Sequence, residues 1–185
     1  MGDLRTSKTL RSLKNAFLTL LEEERFEDIT VQELCQKAEI RRATFYNHFE
    51  DKYDYLAFFI REMREEFIQE MDESTSPITQ ENGVYYDRIF HRLLAFLEEH
   101  PKIAQNMKNS QMLSTITEIF AEEVQNNAWL YLNFKQPHEE KANEMKAIFY
   151  AGGIMQLLLS WIKNPDHFKI NSINWLDYLR KTPIS

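Results

Sequence analysis

The sequence predicts an all-α protein. Glycine and proline, which punctuate turn-rich β proteins, occur only 4 and 5 times in 185 residues. Apolar residues recur three and four positions apart along most of the chain, the spacing of one helix face. Explicit helix-start signals also stand where such faces begin: Thr30-x-x-Glu33 has the form of a capping box, and Pro101 suits a first helical turn.

Taken in order, Leu10, Leu13, Phe17, Leu20 and Leu21 define a first amphipathic helix over 7 to 23. A second, over about 30 to 38, follows the capping box and puts Val31, Leu34, Cys35 and Ala38 on one face, so Cys35 is expected as a small core residue rather than a reactive thiol. After a turn at Glu39, Ile40 and Arg41, the segment 42 to 49 places Phe45 and Phe49 inward and leaves Arg42, Thr44, Tyr46, Asn47 and His48 outward. Asp51 should cap a fourth helix over 52 to about 71. The polar stretch 72 to 83 reads as a loop. Further helices are expected at about 84 to 99, 101 to 108, 111 to 132 and 139 to 163, with Pro137 as a break. A last one, over about 171 to 181, carries Ile173, Trp175, Leu176 and Leu179.

The net charge of −7 should repel nucleic acid at long range, so any binding of it needs a local basic patch. Two exist: Arg5, Lys8, Arg11 and Lys14 against Asp3 alone, then Lys37, Arg41 and Arg42 against Glu39 alone. Charge runs on helices are commonly just solvated faces. The sharper signal is two short helices joined by a tight turn, the second with a basic, polar and aromatic outer face, which is the plan of a helix-turn-helix whose second helix enters the major groove.

The run from Thr30 to Lys52, and above all Thr44-Phe45-Tyr46-x-His48-Phe49-x-x-Lys52, resembles the DNA-binding signature of the TetR family. The resemblance covers about 50 of the 185 residues. It implies a three-helix DNA-binding domain over 1–55 and a helical effector-binding and dimerisation domain over 56–185. It further implies base contacts from Gln32, Arg42, Ala43 and Thr44, and phosphate contacts from Thr30, Tyr46, His48 and Lys52. Residue chemistry agrees: the Arg42 fork matches guanine, Gln32 can pair with adenine, and a Lys52 ammonium or Tyr46 hydroxyl suits the backbone. Asn47 lies exposed beside them and Arg41 precedes them, so both join the candidate DNA-binding set. His48 has the alternative of a local hydrogen bond, and Tyr46 that of half-buried packing. Two departures stand out. Glu39 occupies a turn position where the family usually has Gly, so either a non-Gly residue is left-handed or the turn differs. Arg41 replaces the usual small capping residue.

Enzyme chemistry finds no support. None of His48, His91, His100, His138 or His167 has Glu three residues before it, and nucleophile-elbow, phosphate-loop and dinucleotide motifs are missing. Cys35 is the single cysteine, which leaves no internal disulfide or Cys pair for metal or redox work. No catalytic residue, metal or cofactor is expected, and a cytoplasmic location without membrane contact is. The apolar run Ala147 to Ile162 is too short to span a bilayer.

In the C-terminal part, Phe90, Met107, Phe120, Trp129, Phe149, Met155 and Trp161 are candidates to line a small-molecule effector pocket, although such stripes are more often plain core. Gly152 and Gly153 interrupt an apolar helix at a cost of about 1 kcal/mol each. Close approach of a helix across a homodimer interface is one explanation; relief of crowding within one subunit, or room for a ligand, is the other. The implied function is a sequence-specific regulator of transcription binding an operator in double-stranded DNA, a repressor released by a small molecule. The alternatives are a regulator or activator controlled by a protein partner, which regulators of dihydroxyacetone kinase operons resemble in the C-terminal part, and a helical interaction module without DNA binding.

Overall fold

The computed structural model describes residues 2–69, 82–108 and 110–164, with the backbone alone described for 2–5 and 82–90. Among the described residues there are eight helices: α1 Gly2–Glu23, α2 Val31–Lys37, α3 Arg42–Tyr46, α4 Lys52–Gln69, α5 Asn82–Glu99, α6 Pro101–Met107, α7 Gln111–Lys135 and α8 Glu140–Lys163. Of the expected loop over 72 to 83, residues 72–81 lie outside the described residues, while 82 and 83 already belong to α5; the expected last helix with Trp175, Leu176 and Leu179 also lies outside them. The fold is all-α, as the sequence predicts. Among the described residues, the helix-turn-helix stands near the N-terminus and the other elements are helices.

Two compact units form, each from separate stretches of chain: residues 1–65 with 95–116, and residues 66–94 with 117–185. In the first, α1 turns Leu13, Ala16, Phe17, Leu20 and Leu21 inward, and α4 contributes Tyr55, Leu56, Phe59 and Ile60. Aromatic rings meet edge-on at its centre. Phe17 lies 5.3 Å from Tyr55 and 4.9 Å from Phe59 between centroids, and Phe49 lies 5.0 Å from Tyr55. Such pairs add about 0.5–1.5 kcal/mol each beyond the area they bury. Burial in this cluster pushes the Tyr55 hydroxyl well above the usual tyrosine range, so Tyr55 stays neutral.

Helix α6 starts on Pro101, whose missing N–H costs nothing in a first turn. It packs along α1, burying Ile103 and Met107, and Asn106 Nδ2 donates to the Leu21 carbonyl at 2.9 Å.

In the second unit α7 and α8 form a hairpin around the turn at Pro137. Asn143 is fully buried, and its Nδ2 donates to Asn133 Oδ1 and to the Gln136 carbonyl at 3.0 and 2.8 Å, which ties the turn. Val124 and Ala128 of α7, and Ala147, Ala151, Ile154, Leu158 and Ile162 of α8, are buried. By length and composition α8 is apolar enough to cross a membrane, a property that core helices share. Its buried residues, repeating at three and four positions, mark a helix packed in a protein core.

Candidate nucleic-acid interface

Helix α2 begins as its sequence dictates. Thr30 adopts extended backbone, its hydroxyl accepts the Glu33 amide at 3.2 Å, and the Thr30 amide donates to Glu33 Oε2 at 2.9 Å. Both halves of the capping box are therefore made. The Thr30 hydroxyl also donates to Glu33 Oε2 at 2.6 Å, and this bond together with that of the Thr30 amide holds the exposed Glu33 carboxyl below the usual range. Leu34, Cys35 and Ala38 are buried, and burial raises the Cys35 thiol, which keeps it protonated. Cys35 is the small core residue its helix face predicts.

Glu39 settles the question left by its turn position. Its φ is 55°, the left-handed region, and the helix ends in a pair of reversed hydrogen bonds: Glu39 N to Gln36 O at 3.2 Å and Ile40 N to Cys35 O at 3.0 Å. The turn keeps its geometry and an L-residue bears the strain. Ile40 is then free to lead into Arg41, the N-cap of α3, whose backbone is extended and whose side chain makes no capping bond.

α3 is a single short helix, Arg42–Tyr46, ending three residues earlier than the segment 42 to 49 read from the sequence. Its orientation is set by Phe45, with no exposed surface, and by Phe49 just beyond it; their rings lie 5.9 and 5.0 Å from Tyr55 of α4. With those two faces anchored, Arg41, Arg42, Ala43, Tyr46, Asn47 and His48 are exposed and Thr44 is half-buried. Tyr46 is 49% exposed, and the Arg42 guanidinium sits 6.0 Å from its ring centroid. Gln32 and Thr30 are exposed on α2. Two arginines at the positive end of α3 do nothing for helix stability, since cations there oppose the helix dipole. What they supply is two exposed arginines, the guanidinium of Arg42 lying by the Tyr46 ring.

Lys52 differs from the expectation of a phosphate contact. Its ammonium turns inward and donates to the carbonyls of Phe26, Glu27 and Ile29 at 3.1, 2.7 and 2.8 Å. An ammonium has three N–H donors, and all three are used. The nitrogen also lies 5.0 Å from the Phe26 ring centroid and 5.7 Å from that of Tyr53. The reason is geometric: the turn between α1 and α2 leaves three carbonyls converging on the first turn of α4, and a cation is the group that satisfies them. Asp51 caps that helix as expected, accepting from Tyr53 and Asp54 amides at 2.8 and 2.9 Å.

The candidate effector residues are divided between the two units. Met107 is buried in the first unit, whereas Phe120, Trp129, Phe149, Met155 and Trp161 belong to the second. The Phe90 side chain lies outside the described residues. Phe120, Met155 and Trp161 are core residues, and Phe149 is 63% exposed. Trp129 alone of these lines a cleft of about 530 Å³ between α7 and α8, with Gln125, Asn126, Glu140, Lys141, Glu144 and Ala147.

No family model matches the chain. The chain is similar to YxbF of Bacillus subtilis (strain 168), a helix-turn-helix-type transcriptional regulator: 36% identical over 76 residues, which is 40% of this chain. The match spans 20% of that protein's length. Among solved structures, the dihydroxyacetone kinase operon activator DhaS superposes with a TM-score of 0.56 over 85% of each chain, at 19% identity. At that identity the likeness is one of fold. Both proteins are named as regulators of transcription and neither as an enzyme.

Proposed function

We propose that this chain is a sequence-specific DNA-binding regulator of transcription of the TetR type, working as a homodimer on a palindromic operator. The observation that carries the proposal is α3: a short helix anchored by Phe45 and Phe49 that holds Arg41, Arg42, Tyr46, Asn47 and His48 in solvent. On this reading Gln32, Arg42, Ala43 and Thr44 read bases while Thr30, Tyr46 and His48 bind phosphates, and Arg41 and Asn47 complete the surface. Net charge of −7 makes the local patch, rather than the whole molecule, the source of attraction.

A single short recognition helix reads too few bases, so two heads must engage successive major grooves about 34–36 Å apart. The surface we assign to self-association is the face of α8 bearing Met145, Ile148, Phe149 and Leu157, which are 73, 50, 63 and 39% exposed. Gly152 and Gly153 lie on the same face, and a Cβ at either would meet nothing within 4 Å among the described residues. That space among the described residues leaves room for a second copy's backbone. A small-molecule effector acting on the second unit, releasing a repressor, is the regulatory reading that goes with this architecture. DhaS is by name an activator, which favours activation as the second reading.

The test is selection of duplex from a random pool, followed by affinity measurement at several salt concentrations. Arg42→Ala should cost about 1–3 kcal/mol and relax preference at one base pair of each half-site. Undiminished affinity and an unchanged preference in that variant would remove α3 as the reading helix.

A further inference from the structure

The turn between α1 and α2 is held from two sides. Lys52 grips its carbonyls, as described. On the other side the Glu27 carboxylate reaches the start of α7, 83 residues away in sequence: Glu27 Oε1 accepts from Ser110 Oγ at 2.8 Å and from the backbone amide of Gln111. Ser110 is itself the cap of α7, its Oγ accepting the Met112 amide at 3.1 Å, and it is 7% exposed. Glu27 thus lends its charge to an already capped helix N-terminus, where a carboxylate is favoured both by the free amides and by the helix dipole.

Burial works to raise the Glu27 carboxyl, but hydrogen bonds from its own amide, Ser110 and Gln111, together with the charge of Arg25, outweigh it and leave the group below the ordinary range. It is ionised at neutral pH. Its second oxygen is buried with no hydrogen-bond partner among the described residues. The other oxygen is thus the one that holds the carboxylate to the start of α7.

A neighbouring contact reinforces the same joint. Tyr53 Oη, at the start of α4, bonds Gln111 Oε1 at 3.0 Å, and its ring meets Phe26 edge-on at 5.2 Å. Further along α1, His100 Nδ1 lies 2.9 Å from Glu22 Oε1. The turn that delivers the chain into Thr30 and α2 is thereby referenced to the first residue of α7, and α7 continues unbroken to Lys135.

We propose that Glu27 is a positioning residue for the helix-turn-helix: its grip on Ser110 and Gln111 fixes the orientation of α2, and a displacement of the α7 N-terminus is passed to the groove-facing helices through this carboxylate. The proposal rests on the DNA-binding reading for its consequence but not for its geometry. No residue of α3 is involved. Glu27 touches no base or phosphate in this scheme and acts only through α2.

The test uses the full chain carrying Glu27→Ala, Ser110→Ala, both together, and Glu27→Gln, which keeps an oxygen acceptor. Amide hydrogen exchange is followed without DNA, and affinity for the selected duplex is measured well below the melting temperature. The expected result is faster exchange across residues 29–38 in Glu27→Ala, and affinity reduced about tenfold, equivalent to about 1.4 kcal/mol. Ser110→Ala should add little on top, because the two substitutions break one contact. Glu27→Gln should recover part of both effects. Exchange and affinity that stay at wild-type values, with only the melting temperature lowered, would overturn the proposal and leave Glu27 a stabilising residue. If the wild-type chain binds no duplex, the DNA-binding reading fails, while exchange in α2 still decides whether Glu27 positions it.

Discussion

Replacing Glu39 by glycine isolates the strain stored in the turn that joins α2 and α3. Glu39 has φ 55° and is exposed, so its side chain gains nothing from burial while its Cβ crowds the following carbonyl. That conformation costs an L-residue about 1–2 kcal/mol. Glycine avoids the crowding but gives the unfolded chain more freedom, which returns about 0.5–1 kcal/mol to the unfolded side. The net expectation is that Glu39→Gly stabilises by about 0.5–1 kcal/mol, or about 1–4 °C in melting temperature for a chain of this size. Urea denaturation followed by circular dichroism should show a higher midpoint at unchanged slope. Two controls separate strain from chemistry. Glu39→Ala removes the carboxylate and keeps the Cβ, so it should stay close to wild type. Glu39→Val adds a β-branch and should be the least stable. The hydrogen bonds that close α2 run through the backbone, so they survive in all three. If glycine proves no more stable than alanine at this position, the turn is not strained in solution and the reasoning fails.

Lys52→Met should destabilise the chain by about 1.5–3 kcal/mol, the worth of hydrogen bonds to a charged group, because it strips the donor from the carbonyls of Phe26, Glu27 and Ile29 while keeping the apolar stem. Were its stability unchanged and only the salt dependence of DNA binding flattened, Lys52 would be a phosphate contact after all. Gly153→Leu puts a Cβ where nothing lies within 4 Å among the described residues and replaces a poor helix former by a good one, so the protomer should keep its helix content. Sedimentation should nonetheless show monomers with weakened operator binding; a stable dimer in this variant would move the interface elsewhere.

Much of the head was legible in the sequence because the signals involved are local. A capping box needs only residues three apart, and Thr30 with Glu33 forms it. Phe45 and Phe49, four apart, reveal one face of a short helix, and the outward Arg42, Tyr46, Asn47 and His48 follow by exclusion, whereas Thr44, expected outward, is half-buried. Cys35 fell on the buried face for the same reason. The helix spans were close, with α3 ending at Tyr46 rather than at 49 because Phe49 belongs to the turn before Asp51 caps α4.

By itself, then, the sequence determined the all-helical class, the position of the helix-turn-helix and the side chains it turns to solvent, since each depends on periodicity and capping within a few residues. Only the tertiary structure decided that Lys52 faces inward, that Glu27 meets Ser110 and Gln111, that residues 95–116 join the first unit, and that Phe149 is exposed while Trp129 lines a cleft. The physical reason is range. A lysine at a helix start is compatible with a phosphate or with three carbonyls, and which it finds depends on where a turn 23 to 26 residues earlier in the chain places its oxygens. An acidic residue in a loop carries no mark of the helix N-terminus it will cap, because that partner is brought to it by the packing of α6 along α1.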